Sequence, residues 1–445
     1  MLDRAACVGL IAALVSCGPQ PASTLPAPAL ESPSHFHTPE TSAGPSARIG
    51  HIVIIIQENR TPDNLFQGLA GADIANSGLN SKGQRVKLAP VPLEAHYDVS
   101  HAHESFITEY DGGKMDGFDL VHSTHACRPK ATCAYGYVPR SETKPYFDLA
   151  AQYVFADRMF QTNQGPSFPA HQYLISGTST TRAKGRLRAA DNPFIAGRRE
   201  HSGGGGCDAP SDDLVKTIDP YGDVGSPVFP CFDRPTLGDL LDDKKVSWRY
   251  YEMRLGPGLW HPFDAIRHIR YGRDYANVVT PSSRILSDIA RGRLAHVSWV
   301  TPSGDDSDHA GSHGSGGPAW VASIVNAMGH SAYWKDCAIF VLWDDWGGWY
   351  DHVAPPVRNS YELGFRVPLL VVSPYAQRGH VSHAQYEFGT ILKFVEDTFR
   401  TGSMNTTDAE ANRFDGVFDF TKGPRRFSTI AAPRMGVESD APDSD

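Results

Sequence analysis

"HIVIIIQENR", residues 51–60, begins as a strand and ends as something else. His51 to Ile56 is a nearly unbroken β-branched run, the composition of a strand buried on both faces. Gln57, Glu58, Asn59 and Arg60 follow at once, and none of the four suits a core. The question is why an apolar strand should deliver a carboxylate and an amide at its tip.

The same event recurs downstream. "CAIFVLW" (337–343) runs directly into Asp344 and Asp345, and then into "WGGWYDHV", whose glycines predict a flexible stretch. If the two strands are neighbours, Glu58, Asn59, Asp344 and Asp345 converge on one point. Carboxylates gathered there repel one another. A divalent cation removes that repulsion, and hard oxygen donors suit Mg²⁺, Ca²⁺ or Mn²⁺, with Zn²⁺ also able to bind.

A third β-like run, "QYVFADRM" (152–159), leaves through "FQTNQGPSFPAHQYLISG" (160–177). Ser167 follows Gly165 and Pro166 and precedes a helix expected to start near Pro169, which is an N-cap position. Free backbone N–H groups there attract an anion. A hydroxyl that also touched the metal would lose its proton more readily and become a nucleophile. The plainer reading of Ser167 is helix capping alone.

Further strand-like runs are "HVSWVTP" (296–302) and "VPLLVVSP" (367–374), and helical patterns fall at "AWVASIVNAM" (319–328) and "FGTILKFVEDTF" (388–399). Strands alternating with helices predict an α/β fold, a mainly parallel central sheet with helices on both faces. Ligands then belong at the carboxyl ends of the strands. Residues 178–235, with "SGGGGC" and few apolar runs, read as a long loop insertion near that end.

The chain has 445 residues, 40% hydrophobic and 20% charged, enough for a large core. A formal net charge of -9 gives no overall basic field, so nucleic acid is not expected as a specific partner. No protein partner can be inferred. Arg4 precedes "AACVGLIAALVSC" (5–17), which has the length of a signal-peptide core and falls short of the roughly 20 residues of a membrane span. Leu14, Val15, Ser16 and Cys17 resemble a bacterial lipobox, and lipid on Cys17 would tether the exported protein to an envelope membrane. An ordinary cleaved signal with a chance cysteine is the alternative. Residues 1–17 are thus expected to be the signal, 18–48 a Pro/Ser-rich spacer, 49–430 the catalytic domain and 431–445 a disordered acidic tail.

Of seven cysteines, Cys127 and Cys133 flank "RPKAT", while Cys207 and Cys231 bracket a Gly/Pro/Asp-rich excursion, so each pair is placed to staple a loop. Cys337 reads as a buried thiol. Neither pair has zinc-site spacing with histidine partners.

"HIVIIIQENRTPDNLFQG", "GGKMDGF", "GPSFPAHQYLISG", "DHAGSHGSGGPAWVASIVNAM" and "WKDCAIFVLWDDWGGWYDHVAPP" resemble, in this order, the bacterial phosphoesterase family that contains phosphatidylcholine-hydrolysing phospholipase C and a respiratory-burst-inhibiting acid phosphatase. The similarity spans roughly residues 49–400, and five ordered blocks are far more specific than any one of them. It implies an alkaline-phosphatase-like α/β fold and hydrolysis of phosphate esters or phospholipids through a covalent phospho-enzyme. It also implies that Glu58, Asn59, Asp344 and Asp345 bind the metal and that Ser167 is the nucleophile. Phospholipases of the family often carry Thr at the nucleophile and Asp-Glu at the acid pair; Ser and Asp-Asp here lean towards the acid-phosphatase-like branch.

By the same resemblance His309 matches an Asp/Glu-His-Pro block, with Ala310 in place of the proline. His101, in "DVSHAHESF", matches a histidine that approaches the phosphate, with His103 close by. His261, in "LWHPFDAI", corresponds to a histidine before a Pro-Phe segment. His352, in "YDHVAPP", reads as a structural support behind the metal. Lys114 and Asp116 of "GGKMDGF" (112–118) either touch substrate or form a rigid turn beneath the site, the reading preferred here. Trp343, Trp346, Trp349 and Tyr350 either cage a choline-like headgroup or pack the strand end. A rival of another class is a surface lipoprotein that keeps the fold and a structural metal without catalysis.

Overall fold

A computed structural model describes residues 48–432, except 125–126, 198–202 and 313. The signal segment with Cys17, the spacer up to residue 47 and the acidic tail from residue 433 lie outside the described residues. Among the described residues no helix is long and apolar enough to cross a membrane.

The central sheet has eight strands. In chain order they are β1 (His51–Gln57), β2 (Val154–Ala156), β3 (Trp248–Tyr251), β4 (Val278–Val279), β5 (Val297–Val300), β6 (Cys337–Trp343), β7 (Leu369–Val372) and β8 (His380–Ser382). Across the sheet they run β4-β3-β5-β1-β6-β7-β2-β8. All neighbouring pairs are parallel except those of β7, which is antiparallel to both β6 and β2. β1 and β6 are paired in register from His51 opposite Cys337 to Gln57 opposite Trp343, so the chain leaves both at the same level.

Ile52, Val53, Ile54, Ile55 and Ile56 are each 0% exposed, as a strand covered on both faces requires. At roughly 1.5–3 kcal/mol per fully buried aliphatic side chain, this one strand contributes on the order of 10 kcal/mol of gross burial. Helices cover both faces. Side chains alternate along a strand, and on β6 Trp343 meets Tyr146 of helix α1 (Lys144–Gln152) while Phe340, of opposite parity, meets Phe394 of a helix over Phe388–Phe399. The fold class expected from the alternation of elements is therefore the one observed.

The structure refines three readings. "QYVFADRM" divides into β2 and a separate two-residue strand, Met159–Phe160. β2 is not a neighbour of β1 or β6, because β7 lies between, so Ser167 is brought in by the loop that follows rather than by its strand. Residues 178–235 are not bare loop: they carry a small antiparallel sheet that includes Asp213–Ile218 and Val224–Val228, stapled by the Cys207–Cys231 disulfide. The Cys127–Cys133 disulfide forms as well, and Cys337 is a buried free thiol.

Candidate active site

Ser167 is the first residue of helix α2 (Ser167–Ser176). The helix therefore starts two residues earlier than the sequence suggests, with Pro166 as its cap, and Ser167 makes no capping bond. Its Oγ lies instead 3.2 Å from Glu58 Oε2 and 3.2 Å from Asp345 Oδ2. All three side chains are fully buried. The helix needs no cap from Ser167, since Asn192 Oδ1 accepts the Phe168 N–H from outside at 2.9 Å.

The tips of β1 and β6 form the rest of the cluster. Asp344 Oδ1 accepts the backbone N–H groups of Asn59 (3.1 Å) and Asp345 (2.7 Å), which fixes the plane of that carboxylate. Its Oδ2 has no hydrogen-bond partner although it is buried. Asp345 Oδ1 accepts Gly347 N–H at 2.7 Å, turning its other oxygen to Ser167. Asn59 sits in the left-handed region at φ 62°, an arrangement that costs a non-glycine residue roughly 1 kcal/mol or more. The turn beneath it fits only glycine: a Cβ on Gly347 (φ 60°) would lie 2.4 Å from Asn59 O, and one on Gly348 (φ 70°) would lie 2.6 Å from Val99 Cγ1. The Gly-Gly pair is thus a tightly packed turn that seats Asn59, which corrects the expectation of flexibility.

A chain of hydrogen bonds orients the Asn59 amide. His101 Nδ1 lies 2.8 Å from Val99 O, a carbonyl that can only accept, so Nδ1 carries the proton. His101 Nε2 then accepts from Asn59 Nδ2 at 3.2 Å. Asn59 Oδ1 is left buried without a hydrogen-bond partner. Two orphaned oxygens, Asn59 Oδ1 and Asp344 Oδ2, beside Glu58, Asp345 and the Ser167 hydroxyl, fit a hard divalent cation.

His171 was not singled out in the sequence, yet its Nε2 lies 3.0 Å from Glu58 Oε1 and 3.7 Å from Asp344 Oδ2. The signal was available: it stands four residues after Ser167, on the same face of a helix. Its Nδ1 lies 3.3 Å from the Tyr250 hydroxyl, which donates to Trp260 O at 2.9 Å.

The remaining predicted histidines separate. His309 Nδ1 donates to Ala310 O at 2.7 Å, and its ring centre is 6.0 Å from that of His101 and 6.5 Å from that of Trp260. Asp98, His101 and His309 present ligand atoms within 4.8 Å of one another. His261 is held by Gly256 O at 2.8 Å and lies 3.9 Å from Glu252, one residue away from Trp260. His103 Nδ1 is taken by Gln164 O at 2.6 Å. His352 belongs to a separate cluster, with Asp63, Asp73 and Arg366.

Gln57 and Arg60 act together. Gln57 Oε1 accepts Asp308 N–H at 3.0 Å, and Arg60 Nε donates to Asp308 O at 2.7 Å, so both sides of residue 308 are clamped immediately before His309. Arg60 also donates to Asn64 Oδ1 and Leu93 O and lies over the Trp349 ring at 5.2 Å. Burial raises the Asp308 carboxyl to about 6, against the opposing charge of Arg60 and hydrogen bonds from Tyr146 and Trp343. The four aromatics near the acid pair are packed: Trp343 donates to Asp308, Trp346 to Glu109, and Tyr350 stacks on Tyr135. "GGKMDGF" is a turn with positive φ at Gly112, Gly113 and Met115; Lys114 pairs with Asp111 on the surface.

Carboxylates at strand tips, a hydroxyl held among them and flanking imidazoles are the equipment of an ester hydrolase that works on a charged centre. The chain belongs to the Phosphoesterase family, whose profile matches residues 49–401, and it is a hydrolase acting on phosphate esters. It is 23% identical to phospholipase C B of Mycobacterium tuberculosis, over 84% of this chain and 78% of that one. It is also 23% identical to a non-hemolytic phospholipase C of Burkholderia pseudomallei, over 79% of this chain and 55% of that one. A solved structure of an alkaline phosphatase superfamily protein from Vibrio parahaemolyticus aligns with 79% of this chain and 66% of its own, at 11% identity and a TM-score of 0.38.

Proposed function

We propose that the chain is an exported, metal-dependent phosphoesterase that hydrolyses phosphate monoesters through a phosphoserine at Ser167. The observation that carries this reading is Ser167 Oγ at 3.2 Å from both Glu58 and Asp345, with no capping role to occupy it. Glu58, Asn59, Asp344, Asp345 and Ser167 would hold the cation. When bound, it supplies positive charge that makes the hydroxyl more acidic and offsets charge on the phosphoryl oxygens.

Ser167 Oγ passes its proton to the Asp345 carboxylate and attacks phosphorus in line, and the bond to the leaving oxygen breaks as the Oγ–P bond forms. His309, whose Nδ1 is fixed on Ala310 O, gives the leaving alkoxide a proton from Nε2. The clamp of Gln57 and Arg60 on residue 308 holds that ring in place. His101 acts through Asn59, whose amide it orients beside the phosphoryl group by accepting from Nδ2. Water then attacks the phosphoserine and gives a proton to His309, and phosphate leaves as Ser167 Oγ regains its proton from Asp345. A required imidazolium favours acidic pH, because an unperturbed histidine titrates near pH ~6.5.

A second reading, phospholipase C, is favoured by the curated relatives, which are phospholipases. Against a choline cage built from Trp343, Trp346, Trp349 and Tyr350 stands their packing, since each is at most 4% exposed. Metal-depleted and reloaded protein given p-nitrophenyl phosphate and p-nitrophenyl phosphorylcholine across pH separates the two. Turnover of the monoester supports the proposal, and turnover of phosphorylcholine alone replaces it. Export is supported by two disulfides, which persist in oxidising compartments. Fatty-acid labelling that spares Cys17→Ala but marks the wild type tests the lipid anchor, and an unlabelled wild type removes it.

A further inference from the structure

Arg234 is 2% exposed, and no carboxylate among the described residues pairs with it. A guanidinium is almost never buried so fully without an anion. Nη1 donates to Thr180 O at 2.7 Å and Nη2 to Gln172 Oε1, while Nε has no hydrogen-bond partner. The other two fully buried arginines among the described residues differ. Arg366 is bonded to Asp351, and Arg60 has the charge of Asp308 beside it.

Arg234 lines a cavity of about 530 Å³ together with Arg188, Lys184, Thr178, Thr180 and Glu362. Glu362 is already neutralised by Arg188 at 2.9 Å and accepts the Tyr173 hydroxyl at 3.0 Å. Glu410, at the rim, pairs with Arg358 at 3.0 Å. Arg358 also holds Glu387, so Glu410 keeps part of its charge, but it is exposed at the rim, and the buried charge left without a partner is the positive one of Arg234. Gly177, which closes α2, also lines the cavity, about 15 Å along the helix from Ser167. The volume exceeds that of a bare oxyanion and falls within the roughly 300–1,000 Å³ of small-molecule sites.

We propose that this cavity is a second ligand site, separate from the catalytic cluster, for a small organic molecule whose phosphate or carboxylate group meets Arg234 and Lys184. The guanidinium supplies positive charge at the cavity wall and Lys184 an exposed ammonium, while the threonine hydroxyls and the apolar wall of Ala183 and Met404 take the body of the ligand.

The test is isothermal titration of metal-free full-length protein with inorganic phosphate, glycerol 3-phosphate and citrate. Without a cation the carboxylates around Ser167 repel all three probes, so binding reports the second site. At least one organic probe is expected to bind with a stoichiometry of one. Affinity should fall about tenfold or more in Arg234→Gln, fall a few-fold in the surface variant Lys184→Ala, and stay unchanged in Ser167→Ala. No binding by either organic probe, or equal affinity in wild type and both cavity variants, overturns the proposal. Phosphate binding as tightly as the organic probes overturns the organic assignment. Should Arg234→Gln fail to fold, Lys184→Ala and crystals of the wild type soaked in tungstate decide: an anomalous peak against Arg234 is expected, and its absence sinks the idea.

Discussion

Two buried acidic clusters are built from the same two segments, the chain after β1 and the chain after β6. The first holds Glu58, Asp344 and Asp345; the second holds Asp63 and Asp351, with Asp73 at its edge. All but Asp73 are fully buried. In the second, Arg366 Nε donates to both oxygens of Asp351 at 2.9 and 3.1 Å, and Nη2 lies 3.5 Å from Asp63. His352 bridges Asp63 at 2.8 Å and Asp73 at 3.0 Å. In the first, the basic group at hand is the imidazole of His171, and Asp344 Oδ2 makes no hydrogen bond. A cluster that serves the fold carries its own cations. The first, which the proposed function makes the cation site, has Asp344 Oδ2 without a hydrogen bond and the Ser167 hydroxyl beside Glu58 and Asp345.

Ser167→Ala removes the proposed nucleophile without touching either charge balance. We expect kcat to fall by ~10³-fold or more, with the melting temperature nearly kept. Equal activity in variant and wild type would break the functional half of the comparison. Arg366→Met is its mirror image, because it leaves Asp63 and Asp351 buried without their arginine. Stability measured by urea unfolding should drop by about 3–5 kcal/mol. If the loss is within about 0.5 kcal/mol, as for an ordinary surface substitution, the second cluster is not the charge-compensated structure described.

The same contrast marks what could be read from sequence. β1, β6 and the helix over Phe388–Phe399 were legible because unbroken apolar runs or a clean helical period define them. Glu58, Asn59, Asp344 and Asp345 were legible because polar residues abut such runs without a spacer. The direction of β7 was not, since a strand's sense in a sheet is no property of its local sequence. β3, with Arg249 in its middle, and the two-residue β4 fell below any pattern. His171 was marked only by its spacing from Ser167, because its helix is buried on every side and shows no apolar period to set one face apart. Arg60 was undecidable because its partner, Asp308, lies 248 positions away. Arg366 and His352 meet Asp63 only through the fold, so nothing local separates a compensated acid from a catalytic one.

Divalent cations sharpen the comparison next. A cation that binds the folded chain alone at one hundred times its dissociation constant stabilises it by about 2.7 kcal/mol. Thermal unfolding with Mg²⁺, Ca²⁺, Mn²⁺ or Zn²⁺ should show that increment in wild type and lose it in Glu58→Gln. In Asp73→Asn, which touches the second cluster, the increment should persist. An increment that survives Glu58→Gln but not Asp73→Asn would exchange the roles of the two clusters.

The smallest expected effect is the share of the pH dependence that comes from the compensated cluster, beside that of His268, which Asp239 and Asp233 also raise to about 9. Burial alone pulls the His352 imidazole down, but the hydrogen bond and charge of Asp63, with the charge of Asp351, outweigh it and raise it from 6.5 to about 9. Because the folded value lies above the unfolded one, the protonated imidazole binds its acids more strongly in the native state. That stability is fully present below pH ~6.5 and is lost as pH rises through the folded value of about 9. The His352 side chain is 26% exposed, so solvent screens part of the interaction, and on the order of 1–2 kcal/mol should disappear between the two values. His352→Gln, which keeps a hydrogen-bonding side chain but cannot titrate, should make that segment of the stability curve shallower than in wild type while leaving the cation increment at Glu58 intact. A wild-type curve already flat over the same interval would show that the imidazole is not the charged bridge between Asp63 and Asp73, and the second cluster would then rest on Arg366 and on Arg158, which pairs with Asp73 at 2.9 Å.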